Sequence, residues 1–289
     1  MILRTAELAI RPARADDYSR LYSFLNYRSR VHRHLDWRSA LDWLQHQPYL
    51  LAESHYELQA VLACPPDPPS IAWIRLFTAA TDLAAPRLWD MLLEKAILAL
   101  KDGPSKVMAA LAIQTWFEEL LIPSGFTTTQ SIVVLEREGR PPAPRPFPPG
   151  VLHRPMLPQD ILAVTYVDNQ AFEPLWHNSS ESLDLARMQS MVSSVIEVNG
   201  EIVGYQISTA IGASGHLARL AVLPSFQGSG LGRALVEQLL ADLDRQGIRH
   251  VTVNTQNDNQ TSLALYTRLG FQLTGDEYPV YCLPLSRPA

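Results

Sequence analysis

The chain has 289 residues, 47% of them apolar and 18% charged, with a formal net charge of −5. That length is enough for two domains of ordinary size, each with its own core. The composition fits a soluble globular protein, and the mildly acidic balance argues against a nucleic-acid partner. The opening residues MILRTAELAIRPARADD return to charge too soon for a signal peptide, and no apolar run approaches the ~20 residues of a membrane helix. Cys64 and Cys282 are far apart in unrelated surroundings, as expected of reduced thiols in a cytoplasmic protein.

In chain order, the first half reads as strands near 49–53, 56–63 and 71–78, followed by a helix over 87–101. A strand over 106–113, a helix near 115–122 and a strand over 130–136 complete it. The stretch RPPAPRPFPPG, residues 140–150, then carries six prolines in eleven positions. Proline lacks a backbone donor and fixes φ, so this stretch is an extended connector, not a helix or central strand. It divides the chain into a domain over 1–139 and another over 151–289.

The second half repeats the order. Val195–Val198 and Glu201–Tyr205 form a hairpin, because Asn199-Gly200 supplies the two positive-φ residues of a type I′ turn. Residues 216–223 make a third strand. From 230 to 246, Leu231, Leu235, Leu239 and Leu243 line one helical face, and Gly247 suits the C-terminal cap. A strand over 250–255, a short helix over 261–269 and final strands follow. Three anchors recur at nearly constant offset: Arg11-Pro12 with Asp17 against Arg154-Pro155 with Asp160, Gly103 against Gly247, and Gly125-Phe126 against Gly270-Phe271. The chain is read as a tandem duplication of a mixed α/β unit.

The chemistry concentrates in Leu220-Ala221-Val222-Leu-Pro-Ser-Phe-Gln227-Gly228-Ser229-Gly230-Leu231-Gly232-Arg233, a strand passing through a glycine loop into a helix. A helix N-terminus leaves backbone N–H groups unpaired and adds partial positive charge. Glycines let that backbone approach a pyrophosphate. The spacing fits neither the dinucleotide fingerprint nor a Walker loop, because Arg233 stands where the third glycine would be and no Gly-Lys-Ser/Thr follows.

Val222-x-Pro224-x-x-Gln227-x-x-Gly230-x-Gly232 resembles motif A of the GCN5-related N-acetyltransferases. Asn259-x-x-Ser262-x-x-Leu265-Tyr266-x-x-x-Gly270-Phe271 resembles that family's second motif, with Ser262 where alanine is usual. The resemblance covers about residues 195–275. It implies two domains, each a mostly antiparallel, partly splayed sheet flanked by helices, with acetyl-CoA as donor substrate and no metal. It further implies that Leu220, Ala221 and Val222 offer backbone groups to the pantetheine arm and that Gln227 to Arg233 hold the pyrophosphate. Asn259 would touch the pantetheine or phosphate region, and Tyr266 would lie near the sulfur.

Acetyl transfer to an amine needs a neutral amine and a proton for the departing thiolate. An amine of pKa ~10.4 is protonated at neutral pH, so a base or a water relay must act first. Tyr266 is the candidate acid. For the base, His216 stands by gapless alignment where histone-acetylating relatives carry a glutamate, and Glu173 and Glu197 are alternatives; the choice stays open. Phe172, Glu173 and Trp176 in YVDNQAFEPLWH are expected to shape the acceptor pocket for an amine on a small molecule or a protein.

The first half has no glycine across Thr78 to Arg87, and Leu121 stands where Tyr266 does. It reads as a degenerate copy without the CoA loop, one that completes the acceptor site, stabilises the other half or mediates a homodimer. His32, His34 and Asp36 read as a polar stretch and not as a metal site. The alternative reading of the whole chain is a non-catalytic acyl-CoA-binding or sensing module.

Overall fold

The computed structural model describes residues 8–285; the first seven residues, part of the signal-peptide reading, lie outside that range. Two compact units emerge, one made of Met1–Thr129 with Pro279–Ala289, the other of Gln130–Tyr278. In chain order the elements are β1 (Ala9–Pro12), α1 (Tyr18–Asn26), β2 (His32–Arg33), β3 (Tyr49–Ser54), β4 (Glu57–Ala63), β5 (Ile71–Trp73) and β6 (Leu76–Ala79). Then come α2 (Ala85–Leu100), β7 (Val107–Leu111), α3 (Thr115–Leu121), β8 (Thr127–Arg137) and β9 (Val151–Pro155). The remainder is α4 (Ile161–Ala171), α5 (Ser180–Gln189), β10 (Val192–Val198), β11 (Glu201–Ile211), β12 (Ser214–Val222), α6 (Leu231–Arg245), β13 (His250–Gln256), α7 (Gln260–Arg268) and β14 (Gln272–Pro284). Residues 140–150 form neither helix nor strand, as their prolines require.

The units do not part at this linker, and the reason is pairing. Residues 132–137 of β8 run antiparallel to β13 inside the second unit, while residues 280–284 of β14 run antiparallel to β7 inside the first. Each unit therefore takes a strand from the other half of the chain.

In the second unit β9, β10, β11 and β12 are consecutive antiparallel neighbours, and β12 is parallel to β13. The expected hairpin is present, with Asn199 at φ 53° and Gly200 at φ 82°. Leu231, Leu235, Leu239 and Leu243 of α6 are all buried, and Val236, Leu239, Leu240 and Leu243 share a core with Leu217, Val251 and Val253. Burying each leucine contributes ~1.5–3 kcal/mol, so this stripe fixes α6 on the sheet. Gly247 takes φ 81° and Ile248 donates back to the Leu243 carbonyl at 3.0 Å, closing α6 in a Schellman cap. Gly103, its expected counterpart, is outside the left-handed region and stands beyond the end of α2.

In the first unit the expected strand over 71–78 is broken. β5 pairs in parallel with β7, while β6 pairs with β4 and β2. The run is apolar from Ile71 to Phe77 except Arg75, which sits at the break. Among the described residues no helix is long and apolar enough to cross a membrane.

The repeated Arg-Pro motifs become the same ion-pair network twice. Arg11 holds Asp17 at 2.7 Å and Glu53 at 2.8 Å, and the Arg14 amide caps Asp17 at 2.8 Å. Arg154 holds Asp160 at 2.6 Å and also binds Glu197, and the Leu157 amide caps Asp160 at 2.7 Å. Glu197 is thus committed to Arg154, which removes it from the candidate bases.

Candidate active site

The donor end of the site is made by a strand that leaves its neighbour. β12 is paired with β13 only from Ser214 to Leu217, yet it stays on β11 as far as Val222. A bulge at Ala218 marks the departure: Leu217 faces Ser208 and Arg219 faces Ile207, with Ala218 extra. Bulges bend a strand and re-aim its side chains, and here one opens the β13 side of residues 218–222. Among the described residues no strand pairs with that edge. The Val222 carbonyl accepts from the Gln227 side-chain amide at 3.0 Å, which folds the loop back onto the strand end.

The loop then enters α6. Gly228 has φ 78° and Gly230, the helix N-cap, has φ 89°, both in the left-handed region that disfavours any side chain. A Cβ at either would meet no protein atom within 4 Å, so the space beside the backbone is open. Ser229 turns its hydroxyl to the Phe226 carbonyl at 2.5 Å. Arg233 is held by Glu237 at 2.6 Å, so its charge at the helix start is shared. Glu237 also accepts from the Arg145 amide of the linker at 3.2 Å.

A cavity of about 690 Å³ lies along this edge. Leu220, Ala221, Val222, Gln227, Gly228, Gly230, Leu231, Gly232, Arg233 and Asn259 all line it, as do Phe172, Glu173 and Trp176 from the expected acceptor segment. The sequence reading missed Gln130, Gln256 and Arg268, which also line it. Gln130 belongs to the first half of the chain and reaches this unit through strand pairing, which no local pattern announces. Asn259 serves structure as well, since its side chain caps α7 by accepting from the Ser262 amide at 3.1 Å.

Three expected residues do not line the cavity. Ser229 points back into its own loop. His216 lies where β12 is still paired to β13, its Nδ1 2.8 Å from the Thr252 hydroxyl, and burial lowers its pKa below the ordinary histidine value. Tyr266 packs among Leu217, Val253 and Phe271, its ring 5.7 Å from that of Phe271. Burial raises its pKa, so the phenol keeps its proton throughout the physiological range. Its hydroxyl makes no hydrogen bond among the described residues. Glu173, the remaining candidate base, is exposed at the cavity wall.

Behind that wall lies a group of charges the sequence did not announce. Asp168, wholly buried in the last turns of α4, binds Arg219 of β12 at 2.8 Å. Tyr205 donates its hydroxyl to the same carboxylate.

A splayed strand, a glycine loop at a helix N-terminus and a cavity along both are the features that the sequence resemblance led one to expect. The comparisons agree. Residues 160–271, within the second unit, match the model of the acetyltransferase (GNAT) family. A stretch of 112 residues is 27% identical to the [ribosomal protein bS18]-alanine N-acetyltransferase of Escherichia coli K12, covering 39% of this chain and 74% of that protein. Over nearly its whole length the chain is similar in fold to solved structures. A GCN5-related N-acetyltransferase of Sphaerobacter thermophilus superposes with TM-score 0.64 at 16% identity, over 98% of this chain and 97% of that one. A tandem GNAT protein of the clavulanic acid biosynthesis pathway gives 0.65 at 14% identity, over 98% and 100%.

Proposed function

We propose that this protein transfers an acetyl group from acetyl-CoA to a primary amine of a small molecule or a protein, using the second unit alone. The observation that carries this reading is the open edge of β12 running directly into the Gly228–Gly232 helix start. Pantetheine is a chain of amides, and an unpaired strand edge offers the groups to bond it. The pyrophosphate meets unpaired N–H groups and the positive end of α6.

The amine nitrogen attacks the thioester carbonyl, the C–S bond breaks, and the thiolate takes a proton. Tyr266 supplies that proton, and the proton that the acylated nitrogen sheds as the intermediate collapses passes back to the phenolate through water. Its phenol is neutral and its hydrogen is not committed elsewhere, which supports the assignment. Glu173, on the cavity wall, takes the proton from the ammonium, directly or through water. His216 fits less well, because its ring nitrogen is tied to the Thr252 hydroxyl.

An acceptor at the N-terminus of a protein agrees with the activity of the Escherichia coli relative, and a small-molecule amine agrees equally with a cavity of about 690 Å³. Calorimetric titration with acetyl-CoA is expected to give one site per chain. Tyr266→Phe is expected to keep that affinity while lowering turnover by about 10²–10⁴-fold. An unchanged rate would remove Tyr266 from the mechanism, and absence of binding by folded protein would end the reading.

A further inference from the structure

Asp168 is 0% exposed, in a helix whose other buried residues are Ile161, Val164 and Val167. Its two carboxylate oxygens accept four hydrogen bonds. Arg219 gives two, from Nε at 2.8 Å and Nη2 at 3.0 Å; the Tyr205 hydroxyl gives one, and the Asn178 amide gives one at 3.0 Å. Arg219 in turn donates to the Trp176 carbonyl, and its guanidinium carbon sits 3.6 Å from the Phe172 ring centre.

Such a pair is costly as a stabilising device. Each buried ion loses several kcal/mol of hydration, and an apolar pair of similar volume often does as well. What an apolar pair would not do is grip backbone. Here the pair holds residues 172, 176 and 178, in a segment between α4 and α5 whose only regular part is the 3-10 turn Pro174–Trp176, through one ring face, one carbonyl and one amide. Phe172, Glu173 and Trp176 of that segment line the cavity, and so does Leu220, the residue next to Arg219 on the donor strand.

We propose that Asp168 and Arg219 are positioning residues for the acceptor: the pair clamps residues 172–178 to β12, and so fixes the amine-binding wall at a set distance from the donor edge. This rests on the acetyl-transfer reading above. The wall is then a rigid subsite built for a primary amine carried on a compact or aromatic body, received between Phe172, Trp176 and the Glu173 carboxylate. The donor site is made by the glycine loop, α6 and the backbone edge of β12, and it uses neither clamp side chain.

The test uses the full-length chain with Arg219→Lys, which keeps the charge but loses the planar fork, and Asp168→Asn, which keeps the shape. Arg75→Lys is the control, because Arg75 forms a buried pair with Asp36 at 2.7 Å in the first unit. Hydrogen exchange is read over 172–178 and over 227–235, acetyl-CoA affinity by calorimetry, and kinetics with an alanine-initiated peptide as acceptor probe. The clamp predicts at least tenfold faster exchange confined to 172–178. It also predicts acetyl-CoA affinity within twofold and a peptide KM raised about tenfold or more with kcat little changed, effects that Arg75→Lys does not reproduce. Unchanged exchange over 172–178 overturns the proposal. So does a parallel loss of acetyl-CoA affinity, which would make the pair a general support of the unit. Should Asp168→Asn fail to fold, Arg219→Lys decides alone. If the wild-type protein binds no acetyl-CoA, the transfer reading fails first, and exchange still reports whether the clamp exists.

Discussion

The two units share an ion-pair network and a strand order, yet one strand edge differs between them. In the second unit, residues 218–222 of β12 have an open side. In the first, the corresponding strand β6 is covered by β2, with His32 opposite Phe77 and Arg33 opposite Leu76. The cover extends on both sides of β2: the His34 amide donates to the Arg75 carbonyl at 3.0 Å, and the Thr78 hydroxyl donates to the Arg30 carbonyl at 2.6 Å. His32 is buried, bonded to the Ile74 carbonyl at 2.9 Å and stacked 3.8 Å from Phe117. The first unit thus covers with its own chain the strand edge that the second leaves open. The absence of glycines is only half of what separates the two units.

The sharpest way to break the comparison is to close the second unit. Replacing Gly228 and Gly230 together by valine forces two β-branched residues into the left-handed region, at ~1–2 kcal/mol each for an ordinary side chain. The branched carbons also enter the space beside the loop backbone. Acetyl-CoA affinity is expected to fall about 100-fold or more by calorimetry, with the far-ultraviolet spectrum retained. A fall of less than tenfold would mean that the loop does not hold the donor.

The shared network supplies the next largest effect. Asp17→Asn and Asp160→Asn each remove a charged acceptor from a bidentate arginine, expected to cost about 2–3 kcal/mol by urea denaturation. The hydrogen bonds from Arg11 and Arg154, opposed by burial, hold these carboxyl groups below the ordinary aspartate value. A folded-state pKa below the unfolded ~3.9 gives stability that is complete above that value and lost as pH falls through the folded one. The wild-type chain should therefore lose stability below about pH 4 more steeply than either variant. Equal slopes would show that the two networks contribute nothing through charge.

How much of this was legible depended on the range of each interaction. The Asn199-Gly200 hairpin, the α6 stripe and the glycine loop are local, set by turn chemistry and a 3.6-residue period, and they appear at the expected places. Strand partners are not local. Nothing in Ile71–Thr78 says that its first residues pair with β7 and its last with β4, although the lone Arg75 marks the point. Gapless alignment pointed to His216, and no local pattern says that its ring meets Thr252 and lies outside the cavity lining. Asp168 did leave a signal: it follows Ile161 and Val164 on the buried face of α4, where a carboxylate must find a buried cation. Arg219, on a strand two residues beyond buried Leu217, was the partner to seek.

Within the loop itself a smaller contrast is expected. Gly232 lies inside α6 with ordinary helical conformation, and a Cβ there would sit 3.7 Å from Val222 Cγ2 and 3.9 Å from Leu265 Cδ2, normal contact distances. Gly232→Ala should leave acetyl-CoA affinity within threefold, while Gly230→Ala, which must hold φ 89°, should weaken it by about tenfold. If both variants weaken binding equally, side-chain volume at the helix start matters more than backbone conformation.

The last test concerns the unit that has lost its loop, and its expected effect is none. Writing the sequence Gln-Gly-Ser-Gly-Leu-Gly over residues 81–86, with its second glycine at the N-cap Ala84, would give α2 the helix start that α6 has. If glycines alone separated the units, calorimetry would then count two acetyl-CoA sites per chain. The structure argues for one. A pantetheine arm would have to displace His32–Arg33 from β6, giving up the strand bonds, the Thr78–Arg30 bond and the buried stacking of His32 on Phe117. New donor groups at the loop would recover only the pyrophosphate end. A second site appearing on the glycine graft alone would show that β2 yields easily. A second site appearing only when residues 30–34 are also replaced by a glycine-serine segment would establish that the strand, more than the loop, silenced this copy.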